Sequence, residues 1–263
     1  MNNELIYVYC LSNSSPELSL YTEFNGLKCI ESGGFFITYK NVSEDEFSEE
    51  NLKRNITNIA WVEINAREHI NVISKIMQNN TVIPFKFGTI YKSEEGLAKF
   101  IEDYTLSLNK NIININGKEE WTVKIYCNHD ELKNQIEELS KDVSDLEIQI
   151  RNSSPGRAYL LERKKSDLIE IEIDKFCKSY GASYYELFLK LSESTRINNL
   201  LPKNLTGRND DMILNAAFLV SKDKVGEFVN TSNILWKEQK ITGFNVVLTG
   251  PWPPFSFIEI EEK

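Results

Sequence analysis

The chain reads as an α+β protein of two domains, each assembled from ferredoxin-like, βαββαβ-type elements, with a long helical hairpin inserted in the C-terminal domain. Three observations predict this. Short alternating apolar runs bounded by glycine, asparagine and proline recur in both halves and mark strands. Between them lie segments whose apolar residues fall three and four apart, the stripe of a helix that faces a sheet. An Asn-rich stretch, 109–117, separates two strand–helix sets, so the domains are placed at 1–115 and 116–263. A chain of 263 residues is long enough for two ordinary cores.

In the first half, residues 5–11 alternate around Ile6, Val8 and Cys10 and predict a strand. Asn13 to Pro16 is a loop. Leu27–Ile30 and Phe35–Tyr39 flank Ser32-Gly33-Gly34, the pattern of two short strands about a glycine turn. The acidic run Ser43–Glu50 opens a linker or helix. Asn65, with Glu68 three residues on, has the form of a capping box for a helix striped by Ile70, Ile73, Ile76 and Met77. Val82–Phe87 predicts a strand. Ser93 caps a further helix, with Glu94 and Glu95 in its first turn and Leu97, Phe100, Ile101 and Tyr104 as its stripe.

The second half opens with a strand, Trp121–Cys127. Leu132, Ile136, Leu139, Val143, Leu146 and Ile150 then follow at alternating spacings of four and three, the seam of a packed helix. Asn152–Gly156 breaks it, and Ser154-Pro155 supplies a cap and first turn for a second helix carrying Ile169, Ile173, Phe176, Tyr180, Tyr184, Leu187 and Leu191. Gly181 is a candidate kink. The two stripes predict an antiparallel hairpin over 130–191. Strands are expected at Ile197–Leu201, Met212–Val220 and Phe244–Thr249. Between the last two lies a helix capped by Ser221, with Val225, Phe228, Val229 and Ile234–Trp236 inward. Trp61, Trp121 and Trp236 read as core anchors.

The tail is distinctive. Pro251, Pro253 and Pro254 fix φ and remove three backbone donors, so 250–254 is a stiff polyproline-like strut carrying Trp252. Phe255, Phe257 and Ile258 suggest a short final strand, and the Pro/aromatic tail over 250–258 is assigned to the C-terminal domain. So stiff a segment docks on something. The favoured reading is that it caps the protein's own core; the alternative makes Trp252, Phe255, Pro253 and Pro254 a partner-binding strut.

Net charge is −9, shared by both halves without a basic stripe. Affinity for phosphate backbones rests on lysine and arginine, so nucleic acid is not an expected partner, and neither is an anionic membrane surface. No apolar run approaches the length of a membrane span, and the N-terminus lacks the basic and apolar regions of a secretory signal. Cys10, Cys29, Cys127 and Cys177 are scattered, without a Cys-x-x-Cys pair, which favours buried reduced thiols in a cytoplasmic protein over disulfides or zinc.

A catalytic constellation is not evident. Of the two histidines, His69 reads as a helix-surface or half-buried structural residue in preference to a base, and His129 as a helix-start residue. Phosphate-loop, dinucleotide, zinc-protease and nucleophile-elbow motifs are absent. In Pro84–Thr89, Phe85 and Phe87 read as packing residues on one side of a strand, in preference to a surface in which Lys86 and the two rings meet a partner. No catalytic, metal or cofactor site is assigned, and no cofactor is expected.

Five blocks carry a family resemblance. They are Val82–Thr89 with His69 ahead of it, Glu120–Tyr126, Pro155–Leu160, Leu214–Val220 and Gly250–Phe257. In this order they resemble the gas vesicle GvpF/GvpL family, from about residue 60 to the end; the first strand departs where Cys10 replaces an expected glycine. The resemblance implies an accessory protein of gas vesicle assembly. Its partners would be the small hydrophobic shell protein (GvpA-like) and other accessory gas vesicle proteins, its role chaperone, nucleation or minor structural component, and its location the gas vesicle or cytoplasm. GvpF-like and GvpL-like identities stay open. The alternatives are a generic oligomerisation or scaffold module built on the hairpin, and a small-ligand enzyme on a ferredoxin-like domain.

Overall fold

The computed structural model describes residues 4–237 and 243–260, with side chains described except at 235–237, so the expected inward position of Trp236 lies outside the described residues. The chain forms two compact units. One comprises the residues up to Glu120 together with those from Pro251 onward; the other is Trp121–Gly250. The segment after Gly250, expected with the second domain, is therefore part of the first unit.

The first unit is built on β1 (Glu4–Ser12), a strand buried from Leu5 onward. Such a continuous apolar run belongs in the middle of a sheet covered on both faces. Antiparallel neighbours are β3 (Phe35–Ser43) on one side and, on the other, β4 (Val82–Pro84) and β5 (Ile90–Tyr91). With β2 (Leu27–Ser32) beyond β3, the order is β2-β3-β1-β4. Register shifts between Val8 and Cys10, so Tyr9 sits in a bulge of β1. Short helices α1 (Glu44–Phe47) and α2 (Glu49–Asn55) follow β3, and α3 (Ile59–Ile76) packs Val72, Ile73 and Ile76 against Tyr7, Tyr9 and Cys10.

Three expectations change here. Helix α3 is capped by Asn58, whose side chain accepts from Ala60 N and Trp61 N; Asn65 lies inside the helix and donates to the Trp61 carbonyl. Exposed Ile59 and Ile64 disguise the first two turns, because they lie off the apolar stripe. The strand expected over 82–87 ends at Pro84, and 86–89 is a turn with Gly88 at φ 79°. Helix α4 (Glu94–Ile115), capped by Ser93 as expected, runs through most of the Asn-rich stretch. Leu108 and Ile115 extend its buried stripe, while Asn109 and Asn111 donate back to the carbonyls of Thr105 and Ser107. Only Asn116-Gly117 remains as a turn before β6 (Lys118–Cys127).

The second unit follows the order strand, helical hairpin, strand, strand, helix, strand. After β6 come α5 (His129–Lys133), α6 (Ile136–Leu139), α7 (Lys141–Arg151) and the 35-residue α8 (Pro155–Leu189). Then follow β7 (Ser194–Ile197), α9 (Lys203–Thr206), β8 (Asp211–Ser221), α10 (Val225–Lys237) and β9 (Phe244–Trp252), with sheet order β7-β8-β6-β9.

The first arm of the hairpin is three helices where one was expected. Ser140 breaks it, capping α7 through Val143 N while its hydroxyl donates to buried Glu172 (2.9 Å). The seam survives the break: Leu132, Ile136 and Val143 pack with Ile169, Ile173 and Cys177 of α8. Farther along α8 the stripe shifts by one residue. Phe188 is wholly buried and Leu187 is 39% exposed. Helix α8 continues through Gly181, where an added Cβ would lie 3.4 Å from the Ile213 carbonyl; the glycine admits close helix–strand packing. The expected strand at 197–201 lies instead at 194–197, and α10 starts at Val225, after a turn in which Lys224 N bonds the Ser221 carbonyl.

Candidate functional site

The first unit holds a buried polar network. His69, on α3, is 1% exposed. Its Nδ1 lies 2.9 Å from the Tyr7 hydroxyl and its Nε2 2.9 Å from the Phe85 carbonyl. A carbonyl only accepts, so Nε2 carries the proton and Nδ1 accepts from Tyr7. Burial pushes the imidazole pKa down to about 4, against a smaller opposing pull from the Phe85 carbonyl. Beside it, the Tyr9 hydroxyl donates to Glu68 (2.8 Å), which also pairs with Lys40 (3.2 Å). Burial raises both tyrosine pKa values, with Glu68 adding to each shift. A cleft of about 230 Å³ reaches Tyr7, Tyr9, Lys40 and Glu68. His69, expected at a surface or half-buried, is thus fully enclosed with both nitrogens engaged, and is not placed to take a proton from a substrate.

The tail closes this network. Pro253 and Pro254 are buried, and Phe255 packs on the same core with its ring centroid 6.4 Å from that of His69. Residues Phe255–Phe257 form a single 3₁₀ turn where a short strand was expected. Buried Glu120, from the start of β6, accepts from Ser256 N (3.0 Å) and from its hydroxyl (2.7 Å). Burial raises the Glu120 pKa and the two Ser256 bonds oppose that shift. Asn111 of α4 pairs with the Glu259 backbone in both directions, at 2.7 and 3.0 Å. Of the four tail residues with a candidate binding role, Trp252 is the most exposed, at 40%, while Phe255 is half-buried.

Phe85 and Phe87, expected on one side of a strand, face different neighbours. Phe85 packs on Phe100, whereas Phe87 lies edge-on to His69 (5.8 Å) and near Trp61 (6.1 Å). Lys86 between them is exposed.

A different apolar surface lies in the second unit. Edge strand β7 and the segment after it expose Ile197, Leu200, Leu201 and Leu205, with Ile197 and Leu205 each 68% exposed. Sequence patterning missed this surface because 197–201 was assigned to a strand, whereas β7 ends at Ile197. The signal was Pro202, which with Asn198-Asn199 ends the strand and leaves the apolar residues in a loop. His129 does begin a helix, as expected, but it also meets Cys127 and Cys177.

Two antiparallel sheets, a helical hairpin and a tail sealed by a Glu120–Ser256 clamp define an α+β protein whose described helices are not long and apolar enough to cross a membrane. The model of the gas vesicle synthesis protein GvpL/GvpF family matches residues 5–259, and the chain belongs to that family. Gas vesicle protein L of a Streptomyces species is 26% identical over 226 residues, covering 84% of this chain and 79% of that protein. The crystal structure of gas vesicle protein GvpF from an Anabaena species superposes with a TM-score of 0.70 at 18% identity, covering 98% of this chain and all of the other. GvpF from Microcystis aeruginosa gives 0.66 at 16%, covering 97% and 99%. The last two show likeness of fold.

Proposed function

We propose that this protein is a non-enzymatic accessory factor of gas vesicle assembly that binds the hydrophobic shell protein and keeps it from aggregating before it is incorporated. A shell subunit with an apolar face toward gas needs a covering partner in water. The observation that carries the reading is the run Ile197, Leu200, Leu201 and Leu205, exposed beside an open sheet edge in a member of this family. An open edge offers main-chain hydrogen bonds to an incoming strand, and neighbouring apolar side chains grip it. Trp252 is the second contact, since aromatic anchors dominate many interfaces. Phe255, Pro253 and Pro254 act indirectly, by holding Trp252 in place. A net charge of −9 keeps the carrier itself dispersed.

Co-purification with the shell protein tests this. Leu200→Asp combined with Leu205→Asp is expected to abolish the complex while leaving the melting temperature of the free protein unchanged. A complex that survives both substitutions, in a folded variant, removes the β7 face from the mechanism.

A further inference from the structure

We propose that Cys127, His129 and Cys177, with Asp211 as the fourth ligand, form a binding site for a zinc-like divalent cation in the second unit. This inference is independent of the assembly role. The sulfur and nitrogen donors of the first three residues all lie within 4.8 Å of one another. Cys177 Sγ is 4.0 Å from His129 Nε2, which is in turn 3.7 Å from Asp211 Oδ2. With metal–ligand bonds of roughly 2.0–2.3 Å, tetrahedral geometry sets neighbouring donors about 3.3–3.8 Å apart. The His129–Asp211 separation already falls in that range and Cys177–His129 exceeds it slightly, while the Cys127 donor lies within 4.8 Å of the other two, so binding draws the donors together by up to about 1 Å through side-chain rotation.

The donors come from four elements: the last residue of β6, the first of α5, the middle of α8 and the first of β8. Their framework is rigid. Asn128, between Cys127 and His129, accepts from Asp130 N (3.1 Å) and Glu131 N (3.3 Å) through its side chain, while its own N–H donates to the Gly243 carbonyl (2.7 Å). Gly243 has φ 95°, and an added Cβ would fall 2.9 Å from the Asn128 carbonyl, so glycine is required for this close approach.

The donor chemistry selects the ion. Two thiolates and an imidazole suit zinc and its soft neighbours, whereas magnesium and calcium take oxygen. Charge closes as well. Two thiolates and one carboxylate are balanced by a divalent cation and Lys203, whose Nζ lies 3.0 Å from Asp211 Oδ2. Binding releases the two thiol protons to solvent. Both cysteines are buried while His129 is partly exposed, which gives the ion a way in. Buried cysteines alone behave as small apolar side chains, but that role does not explain an imidazole within 4.8 Å of both sulfurs with a carboxylate 3.7 Å from its Nε2.

The test uses the full-length protein, reduced, stripped with chelator and titrated with cobalt(II). The expected result is one equivalent per chain, with thiolate-to-cobalt charge-transfer absorption and the visible bands of tetrahedral cobalt, both abolished by zinc. Cys177→Ser is expected to remove the charge-transfer band or cut it by about half, and Asp211→Asn to weaken affinity about tenfold or more. Should a variant fail to fold, alkylation of the wild-type protein decides. In mild denaturant chosen so that a thiol reagent reaches both buried cysteines of the stripped protein, zinc is expected to slow labelling of Cys127 and Cys177, and not of Cys29, read by mass spectrometry. Absence of the cobalt bands, their persistence at full strength in Cys177→Ser, or equal labelling of Cys127 and Cys177 with and without zinc overturns the proposal.

Discussion

Tyr7 and His69 fix each other's protonation: the phenol donates to Nδ1 across 2.9 Å because Nε2 spends its proton on the Phe85 carbonyl. The pair joins the central strand of the first unit to α3, and the carbonyl ties both to the turn after β4. A charged imidazole would put a proton on each nitrogen and leave the Tyr7 hydrogen without this acceptor.

That arrangement makes stability pH-dependent in a known direction. The folded pKa of His69 is about 4, against 6.5 for the free side chain. Between those values the unfolded chain binds the extra proton, so stability rises with pH there. The contribution is complete above about pH 6.5 and is lost as pH falls toward 4, amounting to about 3 kcal/mol at most. Urea unfolding at pH 7 and at pH 4.5 measures it. The pH slope is expected to shrink in His69→Gln, which keeps a donor and an acceptor but does not titrate.

Tyr7→Phe leaves the aromatic packing in place and orphans Nδ1. A buried acceptor without its donor costs about 1–3 kcal/mol. The same change is expected to raise the His69 pKa, because Nδ1 becomes free to take a proton. Titration followed by the imidazole NMR signals distinguishes this from simple loss of packing, which leaves that pKa low.

The blocks that carried the family resemblance are scattered in the chain, and several meet in this one place. His69, Phe85, Phe87, Glu120, Phe255 and Ser256 all lie around the tail clamp. What was legible was local: the apolar runs of β1 and β8, the Ser93 cap, the seam of the hairpin. What was not legible depended on distant partners. Nothing near Ser140 announces that Glu172 waits on the facing helix to reward a break, and nothing near Pro251 indicates which core the tail joins. Asn109 and Asn111 read as turn residues because their i−4 bonds and the Glu259 contact exist only once the helix has formed. The Cys127–His129–Cys177 cluster escaped for the same reason, since 48 residues separate His129 from Cys177.

Ser140→Ala tests the hairpin break. The substitution removes the α7 cap and the hydroxyl that Glu172 accepts from, leaving that carboxylate with Lys175. A lost cap costs about 1 kcal/mol, and a weakened buried acceptor adds about 1–3 kcal/mol. Ser140→Asp would keep a cap but set two carboxylates against each other, and is expected to be worse than alanine. Thermal melts of the three proteins rank them; an alanine variant as stable as the parent would show that the break is incidental.

The tail is expected to separate into a structural part and an exposed part. Phe257 is 3% exposed, so Phe257→Ala should cost about 3–5 kcal/mol. Phe255→Ala removes a ring that packs on Tyr7, Tyr9 and their neighbours, and should cost less because Phe255 is only partly buried. Phe255→Ala should also speed amide hydrogen exchange in β1, since its ring packs on the cluster that holds Tyr7, Tyr9 and Cys10. Trp252, at 40% exposure, belongs to the other part: Trp252→Ala is expected to shift the melting temperature little and to weaken capture of the shell protein. Measuring both quantities on all three variants separates the roles. If Trp252→Ala melts as early as Phe257→Ala and regains shell binding in the cold, the indole only closes the fold. If it binds weakly at every temperature at which it remains folded, the indole is part of the contact.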